Sequence, residues 1–202
     1  MTRAAERMTE ITVTAIPAFA DNYIWLVSTG ESGCAVVDPG DAAAVQRQLE
    51  RHDLELDAIL ITHHHADHIG GVAELADRYG AAVYGPHDPR IPGQTQSFGE
   101  GEVVRLPRLG LEFTVIEVPG HTRSHIAFYG HGSLFCGDTL FAAGCGRVFG
   151  GTLEDLHASL QRIAGLPPGT LIYCAHEYTL ANLGFARWVE PDSPAIQRRE
   201  AM

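Results

Sequence analysis

The stretch Thr62-His63-His64-His65-Ala66-Asp67-His68 puts four histidines and an aspartate within six positions. Imidazole nitrogens and carboxylate oxygens are the donors that borderline divalent cations take, so this is the composition of a metal site. The run DAILIT (57–62) delivers the chain to it as a strand. At a strand end, alternate residues point the same way, so His63 and His65 reach one ion while His64 points elsewhere. Asp67 and His68 turn with the start of a helix and address a second ion beside the first. One cluster cannot fill two coordination spheres. Three further donors each follow a strand-like run: His121 in VPGHT (118–122), Asp138 in CGDTL (136–140) and His176 in CAHEY (174–178). Loops held by a rigid sheet are where such residues collect.

These positions assign His63, His65 and His121 to a first ion and Asp67, His68 and His176 to a second. Asp138 bridges the two, together with a water or hydroxide. Two divalent cations facing two carboxylates and a hydroxide keep about one net positive charge. That charge holds the hydroxide deprotonated near neutral pH and stabilises a developing oxyanion. Asp67 and Asp138 are therefore the expected catalytic carboxylates. His52, His87, His131 and His157 are scattered and read as ordinary histidines.

The elements that must position these donors are strand-rich. ITVTAI (11–16), NYIWLVS (22–28), CAVVD (34–38) and DAILIT read as strands. A helix fits after Asp41 as N-cap, and a second spans Asp67 to Tyr79, with Ile69, Val72, Leu75 and Tyr79 at helical spacing. A Pro/Gly-rich surface stretch (85–100) precedes VVRL, LEFTVIEV, HIAFY and SLFCG, the last two joined by the turn Gly130-His131-Gly132. Thr152 and Asp155 resemble a capping box opening a helix. LIYC (171–174) follows as a strand, then a helical segment from about Tyr178 to Val189. Hairpins and crossover helices together predict an α/β fold of two facing mixed sheets with helices outside, an αββα sandwich.

Composition narrows the function classes. The chain has 202 residues and a formal net charge of -11, with no run of Lys or Arg longer than Arg198-Arg199. A nucleic-acid partner therefore lacks its electrostatic footprint. No apolar run reaches the roughly 18 residues that span a membrane, and the opening MTRAAERMTE has no apolar signal core. A cytoplasmic protein is the expectation, with Met8 as an alternative start and no obligatory protein partner. Cys34, Cys136, Cys145 and Cys174 lie far apart, form no CxxC pair, and read as reduced thiols.

The HxHxDH motif with its later His, Asp and His donors resembles the metallo-β-lactamase superfamily from about residue 11 to residue 190. Within it the chain is most similar to glyoxalase II, the hydroxyacylglutathione hydrolases. The likeness lies in FADNYIWLV (19–27), VVDPGD (36–41), THHHADHIGG (62–71), PGHT (119–122), GDTLFAAGCGRVFGGT (137–152) and CAHEYTLANLGFA (174–186). The resemblance implies glutathione contacts at Arg147, Phe149 and Tyr178. Arg147 is suited to clamp a carboxylate through its guanidinium fork. Asp38 reads either as a residue orienting a ligand or as a plain turn former before Pro39-Gly40. Where the family has glycine, this chain has Ser124. The family also continues into further helices bearing basic residues. The expectation is a catalytic domain over 1–177 and, over 178–202, the start of a helical substrate-binding region, most of it absent.

The activity so implied is hydrolysis of S-D-lactoylglutathione, a small-molecule thioester, by two divalent transition-metal ions. Zinc is the first choice, and iron or manganese accept the same donors. A thiol of pKa about 8.5 leaves as thiolate without a strong general acid, which suits a thioester. Two other readings compete. A glutathione persulfide dioxygenase of the same fold would need only an iron triad of His63, His121 and Asp138. A non-enzymatic module would close every metal position with protein ligands, whereas seven donors over two ions leave positions open.

Overall fold

The computed structural model describes residues 11–202. The alternative start at Met8 lies outside them. Six strands form the first sheet, in chain order: β1 (Thr12–Ala18), β2 (Asn22–Ser28), β3 (Gly33–Val37), β4 (Glu55–Leu60), β5 (Ala82–Pro86) and β6 (Gln96–Phe98). The first three strands run antiparallel, and β3 through β6 run parallel. The parallel steps need crossovers. Helices α1 (Ala42–His52), α2 (Ala66–Ile69) and α3 (Val72–Tyr79) supply the first two, and the helix-free loop 87–95 makes the step from β5 to β6.

The second sheet has the order β13-β10-β9-β8-β7. Its strands are β7 (Val103–Leu106), β8 (Leu111–Glu117), β9 (Ile126–Gly130), β10 (Ser133–Gly137) and β13 (Leu171–Cys174). The intervening β11 (Leu140–Phe141) and β12 (Gly144–Cys145) form a small hairpin. Helix α4 (Leu153–Ala164) makes the parallel crossover from β10 to β13, and its capping box joins Thr152 and Asp155. Helices α5 (Thr179–Val189) and α6 (Pro194–Glu200) follow. No helix among the described residues is long and apolar enough to cross a membrane.

Three apolar layers define the αββα sandwich. Val27, Val37 and Leu60 of the first sheet meet Phe113, Val115, Phe128 and Phe135 of the second. On the outer face of the first sheet, Val36, Ile59 and Ile61 bury Val45, Leu49, Val72 and Leu75 of the helices. Beyond the second sheet, Ala127 and Leu134 pack against Ile163. Adjacent residues thus serve opposite layers, Val36 outward and Val37 inward, as the two-residue period of a strand requires. The sheets are also tied at one corner, where Tyr23 N donates to Ala175 O (2.7 Å) and Trp25 Nε1 to Cys174 O (3.0 Å).

Two sequence expectations need correction. The helix expected over Asp67–Tyr79 is two helices, broken at Gly70-Gly71. A Cβ on Gly71 would lie 2.6 Å from both Pro39 O and Ala42 N, so the break lets the loop after β3 come close. The stretch 85–100 is not all surface. It holds the end of β5 and all of β6, and Ile91 and Phe98 are buried. The sequence reading also left out α6 and the β11–β12 hairpin.

Candidate metal centre

The ends of β4, β8, β10 and β13 converge on one edge of the sandwich. There, ligand atoms of His63, His65, His121 and Asp138 lie within 4.8 Å of one another, as do those of Asp67, His68 and His176. Asp138 stands between the groups. Its Oδ2 is 3.3 Å from His121 Nε2, and its Oδ1 is 3.3 Å from His176 Nε2 and 3.5 Å from His68 Nε2. The two triads and the shared carboxylate are the grouping expected from the spacing.

The outer nitrogens show how each imidazole is oriented. His121 Nδ1 donates to Arg147 O (2.8 Å), His68 Nδ1 to Asp38 Oδ2 (3.0 Å) and His176 Nδ1 to Asp21 Oδ1 (2.8 Å). Thr62 Oγ1 gives its proton to Asp38 Oδ2 (2.6 Å), so it accepts from His63 Nδ1 (3.1 Å). In the neutral form of these four rings, each Nε2 is then a lone pair aimed inward, the tautomer a metal ligand needs. Asp38 is thus the orienting residue, not merely a turn former.

The inner atoms test whether a cation fits. His65 Nδ1 lies 3.1 Å from His63 Nε2 and 3.0 Å from His121 Nε2. One proton can satisfy at most one of these contacts, whereas one cation accepts all three lone pairs. In the second group, His68 Nε2 and Asp138 Oδ1 are buried with no hydrogen-bond partner. Buried polar atoms are rarely left so, and these point at each other across the space a divalent ion would fill. The donor set therefore fits a divalent metal pair.

Electrostatics separate the two groups. Burial and the surrounding imidazoles push His63 well below the usual histidine range, so it stays neutral. Burial acts the same way on His68, but the carboxylates of Asp38 and Asp138 outweigh it and raise the ring well above that range. Burial alone would raise Asp138, yet the His176 and His68 rings, 3.3 and 3.5 Å from its Oδ1, hold its carboxyl far below the ordinary carboxylate value. The second group demands positive charge, as protons or as a cation.

Several contributors were not singled out from the sequence. Asn22 Nδ2 donates to Asp67 Oδ2 (2.9 Å), and Asp21 holds His176. His125, fully buried and pushed down to about 3 by that burial, accepts from Asp138 N (3.2 Å) and stacks on His63. Gly137 has φ +50°, and a Cβ there would overlap Thr62 Oγ1 and meet the His125 ring at 2.8 Å. Asp21 and Asn22 sit inside FADNYIWLV, which was the available signal. His64 belongs to neither group, as expected; its Nδ1 lies 3.2 Å from Asp88 Oδ2.

A recess of about 540 Å³ opens beside His121, lined by Phe141, Cys145, Arg147, Phe149, Tyr178 and Asn182. All three positions implied for glutathione contact are there. The Phe149 ring meets His65 and His121 edge-on at 5.5 and 5.4 Å. Tyr178 stacks on His176 at 5.1 Å.

A model of the metallo-beta-lactamase superfamily matches residues 19–176. A hydroxyacylglutathione hydrolase from Aeromonas salmonicida is 57% identical over 193 residues, covering 95% of this chain and 75% of that protein. Among solved structures, ETHE1 from Myxococcus xanthus aligns with a TM-score of 0.73 at 30% identity, covering 83% of this chain and 76% of that one. The structure of TTHA1623 in a di-iron-bound form aligns with a TM-score of 0.68 at 31% identity, covering 82% and 92%.

Proposed function

This chain belongs to the metallo-β-lactamase superfamily and, within it, to the hydroxyacylglutathione hydrolases, and we propose on that footing that it hydrolyses S-D-lactoylglutathione to D-lactate and glutathione. It is a thioester hydrolase. One observation supports the site assignment most: Asp138 turns one carboxylate oxygen to each of two groups of inward-facing imidazoles. We assign His63, His65, His121, Asp67, His68, His176 and Asp138 as the ligands, with zinc the first metal to test. A divalent pair held there supplies Lewis acidity, which acidifies water and polarises a thioester carbonyl. The relative solved in a di-iron form supports a pair over a single ion.

The chain's own residues do the rest. Asp38, Asp21 and the Arg147 carbonyl keep protons on the outer nitrogens, so the inner ones stay available. Phe149 walls one side of the centre. We assign the Arg147 guanidinium and the Tyr178 hydroxyl to glutathione, the former as partner of a carboxylate. Residues 178–202 are proposed as the start of the helical substrate-binding region. The departing thiolate needs no strong acid, and none lines the recess.

Arg147→Ala tests this reading. The variant keeps the carbonyl that holds His121, so the metal centre stays intact. Thiol release from S-D-lactoylglutathione should show KM raised by about tenfold or more, the scale of a lost charge-assisted hydrogen bond. A simple thioester without glutathione should barely respond. Equal damage to both substrates would mean that Arg147 supports its loop and not the substrate.

A further inference from the structure

Across Phe149 from the Arg147 recess lies a second one, of about 370 Å³, that the proposed reaction leaves unexplained. It is lined by His64, His65, Arg90, Thr122, Arg123 and Phe149. Two guanidinium groups and no carboxylate face it, in a chain whose net charge is -11.

The floor of this recess is built around Asp88, which is buried. Arg90 grips it through Nε and Nη2, both at 2.7 Å. Ser124 Oγ donates to Asp88 Oδ2 (2.6 Å), and His64 Nδ1 lies 3.2 Å from the same oxygen. Ser124, the departure from the family's glycine, therefore ties the His121 loop to this floor. Asp88 neutralises Arg90 and fixes it, which leaves Arg123 as the net charge. Arg123 Nε donates to Gly150 O (2.7 Å), pinning the guanidinium at the rim. Its two Nη groups have no partner among the described residues. A pinned planar fork with both Nη groups open suits a carboxylate.

Phe149 separates the two recesses, and each opens on a histidine of the first group, His121 in one and His65 in the other. A thioester seated at the metal centre with glutathione in the Arg147 recess has its acyl chain directed into the other. We infer that the Arg123 recess is an acyl subsite that favours acyl groups ending in a carboxylate. The substrate class is glutathione thioesters of short dicarboxylic acids, cleaved by the same hydrolysis. One water is consumed, the C–S bond breaks, a C–O bond forms, and the products are the dicarboxylic acid and glutathione. This inference rests on the thioester-hydrolase reading.

The test compares S-succinylglutathione with S-butyrylglutathione, which carries a methyl where the other has its carboxylate. The metal-loaded chain should favour the succinyl thioester in kcat/KM. Arg123→Gln should lower that preference by about tenfold, as loss of a charge-assisted contact does, and Arg123→Lys should retain part of it. Arg90→Gln should lower it less, because Asp88 already neutralises Arg90. A preference that does not change in Arg123→Gln, with both rates falling together, would place a glutathione carboxylate in this recess and overturn the inference. So would equal rates for the two thioesters in the unsubstituted chain while S-D-lactoylglutathione is cleaved. If none of the three thioesters is cleaved, the thioester-hydrolase reading itself fails.

Discussion

Asp138→Ala should empty both metal positions and lower thioester turnover on the order of a thousandfold or more. The reason is geometric. Its two oxygens face different imidazole groups, at 3.3 Å from His121 Nε2 and 3.3 Å from His176 Nε2. Losing a bridging donor weakens both ions, whereas losing a donor to one ion weakens chiefly that ion. His65→Ala should therefore deplete the first position and spare much of the second. His64→Ala should leave the metal content near its original value of about two per chain, because His64 pairs with Asp88 and joins neither group. Metal analysis of the three purified variants decides the matter. Full occupancy in Asp138→Ala would remove the bridge from the assignment.

Asp38→Ala is expected to be the most destabilising single change near the site. The buried carboxylate accepts from Thr62 N (2.7 Å), Thr62 Oγ1 (2.6 Å) and His68 Nδ1 (3.0 Å). Alanine strands three buried donors, at a cost of roughly 3–5 kcal/mol. Residue 38 also has φ 52°, a left-handed conformation that Asp tolerates better than Ala. A domain of this size loses about 2–4 °C of Tm per kcal/mol, so the metal-free protein should melt about 10 °C lower. Asp38→Asn keeps an oxygen for Thr62 N but turns an amide NH2, a donor, toward His68 Nδ1, so it should fall between. A melt within about 2 °C of the unsubstituted chain, less than 1 kcal/mol, would show that the network carries no stability.

The ligands were legible because a metal requires particular atoms, and few residue types carry them. His63, His65, Asp67, His68, His121, Asp138 and His176 could be assigned by type and by position at strand ends. The residues behind them could not. His125 is an ordinary histidine until folding puts its ring on His63 and its Nε2 under the Asp138 amide. Asp38 was open between two roles because only coordinates show which donors reach it. The fold divides the same way. Continuous apolar runs marked β2 and β10, an alternating one marked β8, and Asp41 marked the start of α1. The break at Gly70-Gly71 was hidden because it answers a close approach by residues 39–42, not a local pattern. Strand β6 was hidden because three residues are too few to show a period.

The two sheets come from consecutive lengths of chain, residues 12–98 and 103–174, and the site is drawn from both. His63, His65, Asp67 and His68 belong to the first length; His121, Asp138 and His176 belong to the second. An ion that binds this set only when both lengths are folded and joined acts as a reversible cross-link between halves. Mass action then makes free metal a variable of the folding equilibrium. For each site, every tenfold rise in free ion above its dissociation constant adds about 1.4 kcal/mol. The resistance of this chain to unfolding would rise and fall with the metal concentration around it, independently of any substrate.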